Sequence, residues 1–199
     1  MILLAESVDM AEAASGLIES TILLIKAIRQ KAFTTSTDEE GVLLAIKVCP
    51  LLDTLLDALN LEEVLFLSSR PQFRADLVSF LASKCEELSL KNRVRLLGTL
   101  YKAKPPGAAA CAAAVLRATR GKELTALKRL LGTALDGLDL RDLCLNFLKD
   151  GTEERTAVLQ HIFQEGVELR RALEAERARP CVILSDIDDT CMSSLFDYR

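Results

Sequence analysis

The chain has 199 residues, of which 50% are hydrophobic, 27% are charged and 5% are aromatic, and its formal net charge is −4. Leu and Ala are its commonest residues; because both favour helices and strand-forming residues are few, this composition excludes an all-β fold. The pI near 5.2 argues against a dedicated nucleic-acid binder, which would carry a basic face, so no nucleic-acid partner is expected.

Cysteine spacing and the length of apolar runs indicate the cellular compartment of the protein. The six cysteines form no C-x-x-C pair and the chain has one His, so zinc-ligand spacing is missing. Most of the cysteines lie in apolar helical patterns, which predicts reduced, buried thiols in a reducing compartment. The start of the chain lacks a basic region, and the apolar stretch 17–28 is too short to span a bilayer. We therefore expect a cytoplasmic protein without a transmembrane segment, with peripheral contact with membranes left open.

Apolar residues at helical spacing predict a succession of helices, starting with residues 8–33. Ser36 and Glu39 have the spacing of a capping box for the next helix. Pro50 and Pro71 suit the first turns of helices through Leu59 and Lys84. The further predicted helices run from Ser89 to Lys102, from Ala108 to Ala118 (with Gly121 ending it), from Lys122 to Ala134, from Asp139 to Leu148 and from Thr152 to about Ala178.

A short repeated sequence bears on the architecture of the helical region. Arg95-Leu-Leu-Gly-Thr99 recurs as Arg129-Leu-Leu-Gly-Thr133, 34 residues further on, a period that suits helical hairpins. No third copy exists and the flanks align poorly, which favours an irregular bundle over a repeat array. The predicted fold of residues 1–178 is therefore mainly α, a multi-helix bundle or a short helical-repeat array.

The residue pattern changes from helical to strand-like after Pro180. Cys181-Val-Ile-Leu-Ser185 is a short apolar run rich in β-branched residues, typical of a buried parallel strand. Such a strand needs neighbours, and nothing else in the chain supplies them. Residues 181–199 are therefore expected to begin an α/β domain that the chain does not complete.

The residues after this strand carry the only chemical signature of the chain. Asp186-Ile-Asp-Asp-Thr190 resembles the D-x-D-x-T motif of the haloacid dehalogenase superfamily, and with the strand it looks most like the lipin-related phosphatidate phosphatases of the yeast actin-patch type. The resemblance covers residues 181–199 alone. Two carboxylates at i and i+2 after a strand can both be aimed at the crevice at its carboxyl edge.

The resemblance implies a Mg²⁺-dependent phosphatidate phosphatase acting through an aspartyl-phosphate. In that scheme Asp186 is the nucleophile, Asp188 is the general acid and base, Thr190 supports the phosphate loop, and Asp186 and Asp188 hold the metal. The family's phosphate-binding Ser or Thr, its Lys and its second acidic pair lie downstream of the matched motif. The 199-residue chain by itself is therefore expected to be inactive.

Two other interpretations stay open. The acids after the strand could belong to an ordinary solvated turn. Alternatively, the protein is a non-enzymatic helical module that binds a protein or lipid partner, because residues 1–178 contain no catalytic constellation. His161 is interpreted as a helix residue at the edge of an apolar face rather than as a catalytic group.

Overall fold

The computed structural model describes residues 13, 15–23, 26, 36–49, 51–65, 68, 70–134 and 138–176. Across these residues the protein is mainly helical and contains no strand, which confirms the mainly α prediction. The α-helices are residues 15–23 (α1), Ser36–Val48 (α2), Leu52–Ala58 (α3), Leu61–Leu65 (α4), Pro71–Ser83 (α5), Leu90–Ala103 (α6), Ala108–Ala118 (α7), Gly121–Ala134 (α8), Leu140–Asp142 (α9) and Glu153–Glu176 (α10).

Several helix starts follow from capping residues that the sequence reveals. Pro71 occupies the first turn of α5, where its missing N–H costs nothing. The side chains of Ser89, Asp139 and Thr152 accept hydrogen bonds from backbone N–H groups in the first turns of α6, α9 and α10, at 3.4, 2.7 and 3.3 Å. Because these N–H groups have no partner within the helix, each cap fixes where its helix begins.

One local prediction was wrong. Gly121 does not end α7, which stops at Ala118; it is the first residue of α8, where its φ of +52° is one that residues with a Cβ rarely adopt. The helix predicted to follow residue 35 is α2, Ser36–Val48, and the carboxylate of its Glu39 contacts Ser68 and Arg70. The capping box of Ser36 and Glu39 stays a prediction.

The described helices belong to two compact units, divided between Val115 and Leu116 within α7. In the first unit α2 packs on α5, and α3 and α4 pack on α6. Burying each Leu side chain there stabilises the fold by about 1.5–3 kcal/mol before entropic costs. Its largest fully buried side chains are Ile46, Leu55, Leu56, Leu65, Leu77, Leu81, Leu96, Leu97 and Leu100.

In the second unit α8 packs on α9 and on α10. The predicted helix from Asp139 to Leu148 is α9 continued by a π-helical turn over Leu143–Phe147, which also packs on α10. The buried side chains of this unit include Leu116, Leu127, Leu131, Leu143 and Val158.

The predicted strand at residues 181–185 and the predicted domain boundary at residues 178–181 lie outside the described residues. None of the helices formed by the described residues combines the length and the apolar character that crossing a membrane requires.

Candidate functional site

The three residues predicted to form a phosphatase site, Asp186, Asp188 and Thr190, lie outside the described residues. Within the described part of the chain, no group of three or more His, Cys, Asp and Glu side chains is arranged to hold a metal ion. The assignment of Mg²⁺ to Asp186 and Asp188 therefore stays a prediction from the resemblance.

A polar network joins α3 to α6 in the first unit. The guanidinium of Arg95 donates hydrogen bonds to the backbone carbonyls of Leu56 and Leu59 at 3.0 and 2.9 Å. Asn92 donates from its amide to the carboxylate and to the carbonyl of Asp53 at 2.8 and 3.0 Å. The last carbonyls of a helix have no partner within it, so Arg95 satisfies groups at the end of α3 that burial would otherwise leave unpaired. This network has a structural role.

Asp57 at the edge of this network is held ionised by cations. Lys91 contacts its carboxylate at 2.8 Å and Arg95 lies 3.5 Å from it. The hydrogen bond from Lys91 lowers the pKa of the Asp57 carboxyl below its usual value, and the charges of Lys91 and Arg95 act in the same direction. The pair is exposed, so it orients the end of α3 more than it stabilises the fold.

A second polar cluster anchors the segment before α5. The hydroxyl of Ser68 donates to the buried carboxylate of Glu39 at 2.6 Å, and the guanidinium of Arg70 lies 3.4 Å from the same carboxylate. The backbone N–H of Arg70 donates in turn to the Ser68 hydroxyl at 2.9 Å. These contacts occupy the Glu39 carboxylate within the fold, so the cluster is structural as well.

The four described cysteines, Cys49, Cys85, Cys111 and Cys144, are free and buried, as the sequence predicts for reduced thiols. Burial raises the pKa of the Cys85 thiol, and it raises the pKa of Cys111 to about 12. A thiol with a raised pKa carries little thiolate near neutral pH and is a poor nucleophile. Cys85 and Cys111 are therefore inert parts of the core.

His161 lies on α10 and is half-buried. Its Nε2 is 2.9 Å from the backbone carbonyl of Thr119, the residue that follows α7. The carboxylate of Glu165, one turn further along α10, accepts a hydrogen bond from the backbone N–H of Gly121 at 2.6 Å. Both residues of α10 thus bind the link between α7 and α8.

The described residues also form an open groove between α8 and α10, with a volume of about 520 Å³. Its residues on α8 recur every three or four positions and so form one face of that helix. Leu130 and Leu169 line the groove and are 39% and 38% exposed. The lining residues are Lys122, Thr125, Ala126, Arg129, Leu130 and Leu169.

The charged residues of this groove are two cations. The side chains of Lys122 and Arg129 form no hydrogen bond or ion pair with another described residue. The groove thus combines exposed leucines with available positive charge, as in recognition of an acidic, amphipathic segment. Sequence reasoning missed it, although the repeated Arg-Leu-Leu-Gly-Thr segment marks its position.

Comparison of the chain with protein-family models, with curated proteins and with solved structures finds no match.

Proposed function

We propose that the protein takes part in the hydrolysis of a lipid phosphate, with residues 181–199 contributing the nucleophile strand and loop of a phosphatase of the haloacid dehalogenase type. The observation that supports this is the sequence Asp186-Ile-Asp-Asp-Thr190 directly after an apolar, β-branched run. The proposed substrate, from the resemblance, is phosphatidate, and the products are diacylglycerol and phosphate.

In the proposed reaction the carboxylate of Asp186 attacks phosphorus, and a new bond to phosphorus forms as the bond to the ester oxygen breaks. The departing alkoxide takes a proton from Asp188. Water then attacks the aspartyl-phosphate, Asp188 accepts a proton from that water, and inorganic phosphate leaves while Asp186 is restored. Asp186 and Asp188 would hold Mg²⁺, which would supply the positive charge that lets an anionic carboxylate approach an anionic phosphate.

Single-turnover rates test these roles in the protein purified from its own host, as its gene encodes it. Asp186→Asn should abolish hydrolysis of phosphatidate and of an activated aryl phosphate, because both require the nucleophile. Asp188→Asn should slow phosphatidate hydrolysis by about 10²–10⁴-fold. The same variant should recover part of that loss on the aryl phosphate, whose leaving group needs its proton less.

Asp189→Ala is the matched control, because this neighbouring carboxylate has no assigned role at phosphorus, and it should change either rate only mildly. Equal losses for Asp186→Asn and Asp188→Asn on the aryl phosphate would refute the division of roles. A severe loss for Asp189→Ala would show that the chemistry has been assigned to the wrong carboxylates.

The groove between α8 and α10 favours a second function that is compatible with the first: the helical region is an interaction module that brings the protein to a partner. Leu130 and Leu169 line the same groove and are both partly exposed, and exposed apolar side chains that adjoin one another are a feature of interaction surfaces. Leu130→Asp in the full protein should reduce the proteins that co-purify with it from its host, and Lys149→Ala, an exposed cation outside the groove, should not. If no co-purified protein depends on Leu130, the groove is not an interaction surface in the host.

A further inference from the structure

Helix α2 carries apolar side chains on its outward face as well as on its inward one. Leu44 and Val48, one turn apart, are 61% and 56% exposed. On the opposite side of the helix, Val42 and Ile46 are buried, and α2 packs on α5. An apolar side chain on the outward face of a surface helix gains nothing from the core, so this face is suited to contact with a partner.

Two opposite charges flank the exposed leucine at nearly equal distances. Glu40 precedes Leu44 by four positions and Lys47 follows it by three. Both side chains are exposed, and neither forms a hydrogen bond or ion pair with another described residue. Because a helix turns by about 100° per residue, Glu40 and Lys47 lie on the same flank of the outward face, yet about 10 Å apart along the axis. They are too distant to pair with each other within one chain.

The other flank of the same face combines Val48 with Gly41. A glycine inside a helix destabilises that helix relative to alanine. Gly41 is not among the glycines with a positive φ, and a Cβ built on it would meet no atom within 4 Å. Neither the backbone conformation of α2 nor a neighbour among the described residues therefore requires a glycine here. Its effect is to leave open space on the outward face.

These positions are complementary to themselves under a two-fold rotation. When two copies of α2 pack antiparallel with the axis at Leu44, each Leu44 meets the same residue of the other copy. Glu40 then lies within about 1.5 Å, along the helix axis, of the level of Lys47 of the second copy, and Gly41 lies equally close to the level of Val48. The rotation places each flank against the same flank of the other copy, so two ion pairs form and each valine fills the space beside a glycine.

We infer that the outward face of α2 binds a second copy of this chain as an antiparallel, two-fold symmetric helix pair. A parallel pair would place the charged flank against the glycine flank and leave both charges without partners, so the charge pattern selects the antiparallel arrangement. One helix face per copy buries less than the roughly 1,200 Å² of a stable interface, so the dimer should dissociate with a Kd of about 10–100 μM. This contact does not depend on the phosphatase motif or on the groove between α8 and α10.

Sedimentation equilibrium of the full 199-residue chain, from micromolar to millimolar concentration, measures the association. Leu44→Asp should weaken it more than about tenfold, because it places two carboxylates together at the two-fold axis. Gly41→Gln should also weaken it, because its side chain occupies the space that Val48 of the other copy fills. The same substitution improves helix propensity, so its melting temperature should not fall. Lys149→Glu, an exposed charge outside α2, is the control and should change nothing.

Charge reversal tests the antiparallel register. Glu40→Lys and Lys47→Glu should each weaken self-association about three- to tenfold at low salt, because each turns both ion pairs into like-charge contacts. An equimolar mixture of these two variants should associate as well as the wild type, since every contact then joins a lysine of one chain to a glutamate of the other. The double variant should likewise recover the wild-type Kd, and about 0.5 M salt should reduce all these differences.

The inference is overturned if the wild type stays monomeric at millimolar concentration, or if it dimerises and Leu44→Asp does not weaken the dimer. A mixture of Glu40→Lys and Lys47→Glu that associates no better than either variant alone would also overturn it, because the charges then do not meet across the two-fold axis. Loss of binding to anionic vesicles in Leu44→Asp, with a wild type that is monomeric in solution, would identify a lipid surface as the occupant instead. None of these outcomes bears on the phosphatase proposal.

Discussion

Replacing Arg95 by Ala removes the hydrogen bonds that hold the carboxyl end of α3 to α6. The guanidinium donates to the carbonyls of Leu56 and Leu59 at 3.0 and 2.9 Å, and its side chain is 34% exposed. Hydrogen bonds from a charged donor contribute about 1.5–3 kcal/mol each when buried. Since partial exposure lets water replace some of that interaction, we expect Arg95→Ala to lower the free energy of unfolding by about 2–4 kcal/mol.

Arg129→Ala is the matched control, because Arg129 is the counterpart of Arg95 in the same five-residue segment of α8. Its side chain is exposed and bonds no other described residue, so its removal should cost less than about 0.5 kcal/mol. Helix propensity cannot produce this difference, because the substitution is identical and lies within a helix in both variants.

Hydrogen exchange is the suitable assay, because two compact units need not unfold together. The amides of Leu55 and Leu59 in and after α3 donate backbone hydrogen bonds of 3.0 and 3.1 Å and report opening of that helix. Arg95→Ala should lower their opening free energy by the amount above, and Arg129→Ala should leave it unchanged. Equal effects of the two substitutions, or a cost below 0.5 kcal/mol for Arg95→Ala, would refute the assignment of Arg95 as the cap of α3.

Two further predictions concern pH. The pKa of Asp57 in the folded protein is lowered below its ordinary 3.8, so the contribution of its carboxylate to stability is present above that value and is lost as the pH falls through the folded pKa. When the free energy of unfolding is measured against pH, the difference between the wild type and Asp57→Asn should therefore disappear below about pH 4. A difference that stays constant over this range would contradict the assignment. The folded pKa of Cys111 is raised from 9.0 to about 12, so the unfolded chain loses that proton first as the pH rises and stability falls between those values. The loss of unfolding free energy between pH 8 and pH 10, measured by urea unfolding, should be smaller in Cys111→Ala than in the wild type, by up to about 1.4 kcal/mol per pH unit above 9. Identical losses in the two proteins would exclude Cys111 as a source of the alkaline destabilisation.

The helical part of the fold was largely predictable, because its signals are local. Ser89, Asp139 and Thr152 cap helices through their own side chains, and Pro71 suits a first turn, so these boundaries can be read from a few neighbouring residues. Contacts between residues far apart in the chain were not predictable. Glu39 bonds Ser68, 29 positions further on, and local residues do not encode that contact.

The candidate groove could not be predicted because burial is a property of the tertiary packing. Leu96 and Leu130 occupy the same place in identical five-residue segments, yet one is fully buried and the other is 39% exposed. What separates them is the tertiary environment: in the first unit α3 and α4 pack on α6, through residues such as Asp53 that lie far from it in the chain. The phosphatase motif is the opposite case. D-x-D-x-T can be recognised in the sequence alone, whereas its geometry depends on the sheet around it.

The most direct test of the proposed function is to trap the phosphorylated enzyme. The protein purified from its own host is mixed with phosphatidate and quenched in acid during the first turnover, and borohydride reduces any aspartyl-phosphate to homoserine, which mass spectrometry locates. The account predicts homoserine at residue 186 in the wild type and in Asp188→Asn, and none in Asp186→Asn or without substrate. Turnover of phosphatidate without modification at Asp186, or with modification at Asp188 or Asp189 instead, would contradict it.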